Sequence, residues 1–368
     1  MKIFSKFYKL IRVLFFQLIY KKINKVISAN DEKNITEKVV TYDNFFKYKA
    51  YKISKGRLYS NSTHDTAYII DKYLIKEMSF QYRYKKNKIK NANISENIIL
   101  HKGTPSIKKR FKGSVFSLLV GGAAKKNYWH WLFDVLPKIA ILEKSNFTPK
   151  PDYYIAPSLS KNFQTDSLKL LGISKSKLLN GEKFKHVICD NLLTVDHPSV
   201  FKNDPSKGVL NMPYWIIKWL RKKFIKKNYP HLKTPKKIFI DREGDSILEK
   251  RKIVNNSHVK IFLKQQGFKS LVLSNYSFAK QIKIFSNAQF IVGLHGGGFA
   301  NIIFSKPGTK ILEIQAKQNG HAIFNLAKKC KLNYKRLIEK NISGKLKFQN
   351  SHVNVNLMKL KKIILSYN

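Results

Sequence analysis

The run Phe290-Ile291-Val292-Gly293-Leu294-His295-Gly296-Gly297-Gly298-Phe299-Ala300-Asn301 decides how this chain is read. It begins as a continuous apolar strand, breaks at three glycines and resumes as a second apolar run. A strand apolar on both faces belongs to a parallel sheet covered on both sides. Glycines directly after it let backbone N–H groups approach an anion, and a helix start adds a favourable dipole. The alternative is a tight turn whose glycines serve packing only. The spacing is not the dinucleotide fingerprint, and no Lys-Ser or Lys-Thr follows to make a Walker loop. His295 stands at the strand's C-terminal end, where parallel sheets bind ligands.

Outward from this run the pattern is regular. Strands are expected at 237–241, 269–273, 289–294 and 310–314, with helices at 255–266 and 277–287. Gly267 fits the position just past a helix end, and Ser277 fits an N-cap. Such alternation predicts an α/β fold with a parallel sheet. Arg242 follows the first strand, and Arg251 opens the next helical stretch. Both would face the same sheet edge as the glycine loop. Only eight of the 71 basic residues are Arg, and the guanidinium fork suits phosphate where Lys does not. Two cations and a backbone nest can hold a diphosphate without metal, although two surface cations would look the same. Glu313, near the end of the next strand, is expected to accept ribose hydroxyls. Asp241 and Asp245 are four apart, not the Asp-x-Asp that holds a divalent ion, so no metal or other cofactor is expected.

A second constellation lies upstream: Asn127-Tyr128-Trp129-His130-Trp131-Leu132-Phe133-Asp134-Val135-Leu136-Pro137. On a helix spanning 128–144, His130 and Asp134 are i,i+4 and share a face with Asn127. Pro137 removes a backbone hydrogen bond and should bend the helix near Phe133. The pair reads as a carboxylate base with a histidine neighbour, or as an internal pair that only satisfies itself.

The chain has 368 residues, 43% hydrophobic and 13% aromatic, and a formal charge of +49. That is material for two packed domains, not for disorder. The charge draws the surface to anionic membranes, glycans and phosphorylated substrates. A nucleic-acid-binding protein is the rival reading, but no reading motif supports it. The two cysteines, Cys189 and Cys330, make no framework, which fits a reducing cytoplasm. Residues 1–27 carry seven bases and no acid around a ten-residue apolar stretch at 11–20. That stretch is too short to span a bilayer. A basic amphipathic helix on the inner face of the plasma membrane is expected, with packing on the protein's own surface, or a signal or anchor segment without a small-x-small cleavage site, as the alternatives. Short strands are expected at 47–53, 66–70, 114–120 and 152–156, a helix at 164–171 and a strand pair within 186–195. Residues 205–240 hold ten bases and no acid, include a helix at 212–227 and read as a crossing between lobes. The expected domains are 1–29, 30–205, 206–341 and a tail helix within 342–368.

Taken together, these motifs resemble glycosyltransferase family 61. The family's Asn-Tyr-x-His-Trp-Leu-x-Asp-x-Leu-Pro segment stands here at 127–137. Its arginine-bearing strand end is Asp241-Arg242, and its Arg-x-Ile-x-Asn-Glu reads Arg251-Lys252-Ile253-Val254-Asn255-Asn256. Gly267-Phe268 and Ser277-Phe278-Ala279-Lys280-Gln281-Ile282 match two further segments. Its Val-Gly-x-His-Gly-Ala-Gly-Leu-x-Asn appears at 292–301, and Pro307-Gly308 with Glu313 closes the series. Asn256 stands in place of the usual Glu, and Gly297 in place of Ala. The resemblance implies a GT-B fold of two Rossmann-like lobes with a cleft. It also implies inverting transfer from a nucleotide sugar to a glycan or lipid-linked glycan, in the bacterial branch for capsule or other surface polysaccharide. On that basis Asp134 takes the acceptor's proton, His130 orients it and His295 stabilises the departing phosphate. Arg242, Arg251, Gly296, Gly297, Gly298, Asn301 and Glu313 hold the donor. An inactive membrane-associated scaffold of the same fold is the remaining alternative.

Overall fold

Strand Phe290–Leu294 is buried along its whole length, and it lies at the centre of a five-stranded parallel sheet. The structure is a computed structural model. It describes residues 2–62, 65–85, 88–199, 201, 204–225, 233–242, 251–317, 320–342 and 351–367. The chain is mixed α/β and divides into two units, residues 1–209 and 210–368.

In the second unit the strands are, in sequence order, Lys237–Asp241, Lys269–Val272, Phe290–Leu294, Lys310–Ala316 and Asn333–Glu339. Their order across the sheet is two, one, three, four, five. The direction of winding therefore reverses between the first and third strands. In an open parallel sheet that reversal opens a crevice beyond the strands' carboxyl ends, and ligands bind there. Residues Phe239, Val292, Leu312 and Leu337 face one core with helices Asn256–Gln265 and Leu357–Leu365. On the other side Phe224, Phe278 and Phe304 pack edge to face. They come from helices Tyr214–Phe224 and Phe278–Asn287 and from the 3₁₀ helix Gly297–Phe304. Apolar strands covered on both faces are what the sequence pattern demanded.

The expected strands fall within two residues of their places, and Ser277 caps its helix by accepting from the Lys280 N–H. The segment after the glycines is a 3₁₀ helix, not an α-helix. The helix expected at 212–227 ends at Phe224; its last two residues, and Asp245, lie outside the described residues.

The first unit is built on a twelve-stranded sheet. Its long strand His186–Val195 pairs antiparallel with Phe46–Ser54 and Arg57–Ser62, and parallel with Lys109–Ser117. Tyr153–Ala156 and Leu178–Asn180 continue the parallel side. Where the sequence predicts a strand pair, a single strand runs through 186–195, and its register slips between Cys189 and Asn191. The expected 114–120 strand lies earlier, at Lys109–Ser117. Helix Pro137–Ser145 is buried along most of its length.

Candidate active site

In the first unit the candidate pair, His130 and Asp134, sits on an irregular helix. The Asn127 side chain accepts from the Trp129 N–H and caps helix Tyr128–His130. Asn127 is therefore a helix cap and not a third member of the polar face. Residues Trp131–Val135 form a π-turn, in which the Leu136 N–H reaches the Trp131 carbonyl at 3.1 Å. Pro137 then opens helix Pro137–Ser145 at its first position, where its missing N–H costs nothing. The bend expected from Pro137 is thus taken up as a wide turn one residue longer than an α-turn. The wholly buried Trp131 fixes this turn, its indole N–H donating to Ser167 Oγ at 2.9 Å.

His130 Nδ1 lies 2.7 Å from Asp134 Oδ2, and the two side chains are 24% and 19% exposed. Burial alone would raise the Asp134 pKa. The hydrogen bond and charge of His130, with the charge of His197, outweigh it and hold the carboxyl below its usual value. With Nδ1 committed to the carboxylate, Nε2 is the ring nitrogen left to accept a proton.

Two further groups surround the pair. Lys138, one turn beyond Asp134, is 2% exposed, and its ammonium donates to the Leu119 carbonyl at 2.9 Å. Burial pulls its pKa down to about 7, against the opposing charge of Asp196. His197, just past the end of strand His186–Val195, accepts from the Ser199 N–H through Nδ1. Burial holds its pKa below the ordinary histidine value. Neither was singled out from sequence. Lys138 continues the i,i+4 spacing of 130 and 134, but that spacing does not tell a buried lysine from a solvated one; His197 carried no signal beyond its place after a strand.

In the second unit the crevice of the sheet is lined by Arg242 and the glycine loop. Arg242, the first residue past strand Lys237–Asp241, donates through Nη1 to the His295 carbonyl at 3.0 Å. It passes so close to Gly296 that a Cβ there would lie 2.6 Å from Nη1. The missing side chain at Gly296 leaves the room this guanidinium occupies, and a Cβ there would push it aside. Arg251 stands near enough that its pKa falls to about 10, chiefly from burial and then from the charge of Arg242. Its backbone is left-handed, with φ of 58°. The segment after it is clamped by the C-terminal residues: Val353 pairs with Lys252 and Val254 through backbone bonds of 2.9 and 2.8 Å. Asn255 exchanges two side-chain bonds with Val355, each of 2.9 Å. Two half-buried guanidiniums that repel each other at a sheet crevice make a site suited to an anion.

His295 is held by a hydrogen bond from its Nδ1 to Glu313, and Tyr334 donates to the other oxygen of the same carboxylate. Glu313 is 1% exposed. Sequence suggested Glu313 for ribose hydroxyls; in the structure its carboxylate is enclosed and bonded to His295 and Tyr334. Tyr334 was missed; it shows only as an aromatic in an alternating strand. Each unit thus carries a histidine whose Nδ1 is tied to a carboxylate. Asn301 is likewise fully buried and donates to Gln281 at 3.0 Å and to the Gly298 carbonyl at 3.3 Å. These bonds tie the glycine loop to helix Phe278–Asn287. A Cβ on Gly298 would crowd Leu273 at 3.0 Å, so that glycine serves packing. Gly297 is half-buried at the start of the 3₁₀ helix.

Asp241 is held by Lys260 at 3.0 Å and by Asn256 at 3.3 Å. Asn256, the residue that departs from the family pattern, therefore donates to an acid that a Glu at this position would repel. Among the described residues no group of three His, Cys, Asp or Glu side chains is arranged to hold a metal ion.

The sequence model of the family described as Glycosyltransferase 61 matches residues 128–312, half of the chain. The match begins on the capped helix that carries His130 and ends one residue before Glu313, so it takes in residues of both units. No curated protein matches the chain.

Proposed function

The chain belongs to glycosyltransferase family 61, and from that premise we propose that it is an inverting, two-lobed GT-B transferase. It moves a sugar from a nucleotide-sugar donor to a glycan or lipid-linked glycan hydroxyl, in the assembly of a bacterial capsule or surface polysaccharide. The observation that carries the donor assignment is Arg242 crossing Gly296 at the point where the sheet reverses its winding. Arg242, Arg251 and the N–H groups around Gly296 and Gly297 hold the diphosphate, so the leaving charge is met without a bound metal. His295, steadied by Glu313 and Tyr334, acts as an imidazolium: Nδ1–H stays on Glu313 while Nε2–H donates to the departing phosphate oxygen.

The first unit supplies the base. The sequence reading gave the proton to Asp134 directly. The geometry favours the reverse division of labour: a carboxylate held below its usual pKa is a weakened base, whereas His130 has Nε2 free of the Asp134 bond. His130 takes the acceptor's proton as the hydroxyl attacks the anomeric carbon opposite the diphosphate. Asp134 fixes the tautomer and stabilises the imidazolium that forms.

A thermal-shift series with UDP, GDP, CMP and their sugars tests the reading. One nucleotide family should stabilise the chain, by about 2.7 kcal/mol at 100 times its Kd, and its sugar should then be turned over. If none shifts the melting point, the donor site is wrong. Gly296→Ala should displace the Arg242 guanidinium while leaving the fold in place. Donor kcat/KM is expected to fall roughly 10–100-fold, the scale of a misplacement of about 1 Å. Unchanged kinetics in this variant would separate Arg242 from the donor.

A further inference from the structure

The N-terminal helix Lys2–Tyr20 is fixed to the first unit by one narrow stripe. Tyr20 packs edge-on against His186 at 5.0 Å, stacks with Phe16 and accepts from the Lys108 N–H. Gln17 donates to the His101 carbonyl at 3.2 Å. The chain then runs into strand Lys25–Ile27, which pairs with Tyr73–Ile75. The helix is therefore a part of the unit and not a trailing arm.

Its opposite side is apolar and uncovered. Phe7, Ile11, Leu14, Phe15, Leu18 and Ile19 are each between 49% and 85% exposed. A helix docked on its own domain normally turns polar residues to water on that side. Arg12 belongs to the packed stripe, its guanidinium donating to Ser106 Oγ at 3.5 Å; exposed Lys9 lies on the same helix, Lys21, Lys22 and Lys25 follow it, and residues 1–27 contain no acid. Among the described residues no helix is long and apolar enough to cross a membrane.

We propose that this face lies on an anionic lipid surface, its apolar side sunk at the boundary of headgroups and acyl chains and its bases meeting lipid phosphates. A second copy of the chain fits less well, because pairing through this face would bring two strips of like charge together. The inference does not depend on the glycosyltransferase reading.

The test uses the full chain. Deleting the helix would uncover Arg57 and His186, both buried, and would confound binding with unfolding. Wild type and L14E/L18E are sedimented at 0.15 M salt with vesicles of phosphatidylcholine alone or mixed with phosphatidylglycerol. Wild type should bind the mixed vesicles and bind the neutral ones far less. The double variant should bind the mixed vesicles at least ~10-fold more weakly at an unchanged melting temperature. If the glutamates lower the melting temperature, L14S/L18S replaces them. Equal binding by wild type and variant would overturn the proposal, since the overall charge of +49 would then account for it. A dimer that the substitutions dissolve, without vesicle binding by wild type, would assign the face to a second copy.

Discussion

His130→Asn and Asp134→Asn should each lower kcat by roughly 10²–10⁴-fold, the size expected when general-base catalysis is removed. Nucleotide binding should stay intact, because Arg242 and the glycine loop belong to the other unit. The double variant should lose little more than either single one, because a histidine and the carboxylate that orients it act as one group. If the pair only satisfied itself in the core, both variants would instead melt at lower temperature with turnover per folded molecule preserved. Measuring kcat and the melting midpoint on one preparation decides between these outcomes, and near-wild-type kcat in either variant removes the pair from the chemistry. The pH dependence is a built-in control. The Asp134 carboxyl is held below its usual pKa, so the stability it contributes is present above the unfolded value and is lost as pH falls through the lower folded one. The melting difference between wild type and Asp134→Asn should therefore shrink below about pH 4, the ordinary aspartate range.

Arg242→Lys should cost about 1.5–3 kcal/mol of donor binding, roughly 10–100-fold in kcat/KM, although the charge is kept. A hydrogen bond made by a charged group contributes about that much. A lysine cannot reach the His295 carbonyl and a phosphate together in the planar geometry of the guanidinium. Arg221→Lys is the contrasting substitution. Arg221 donates to the carbonyls of Ile303 and Ser305 at the end of the 3₁₀ helix, so its replacement should lower stability and leave donor KM near wild type. Unchanged donor kinetics in Arg242→Lys would sink the assignment of the crevice.

Four strands of the parallel sheet were legible because each is a short, largely apolar run closed by a glycine, a cap or a charge; the fifth, Asn333–Glu339, is an edge strand of mixed polarity and was not. Arg242, His295 and the glycines could be placed at one sheet edge from that alternation alone. What each residue does there was not legible. Glu313 and Asn301 looked like ligand groups because polar residues near strand ends often are, and only packing shows that both are enclosed. The same holds for Asn127, which the helix uses as a cap. In the first unit the His130–Asp134 spacing gave the pair, but nothing local in the sequence distinguishes a π-turn from an α-turn. Lys138 went unread because an ammonium is rarely buried. Its burial depends on the Leu119 carbonyl, nineteen residues away. Long-range partners of this kind leave no trace in periodicity.

The clamp on residues 252–255 bears on when the protein becomes competent during synthesis. Arg251 leaves the ribosome early, but the partners that fix the segment after it, Val353 and Val355, lie about a hundred residues further along. At ordinary elongation rates of about 5–20 residues per second that gap amounts to several seconds. During that interval the first strand and Arg242 exist without a fixed second guanidinium. A nascent chain stalled before residue 352 would thus carry both members of the His130–Asp134 pair, but neither the clamp on 252–255 nor the C-terminal part of the second unit's core. Fixing the segment after Arg251 is the late, non-local event in this fold, and the His130–Asp134 contact, four residues apart, is the early one.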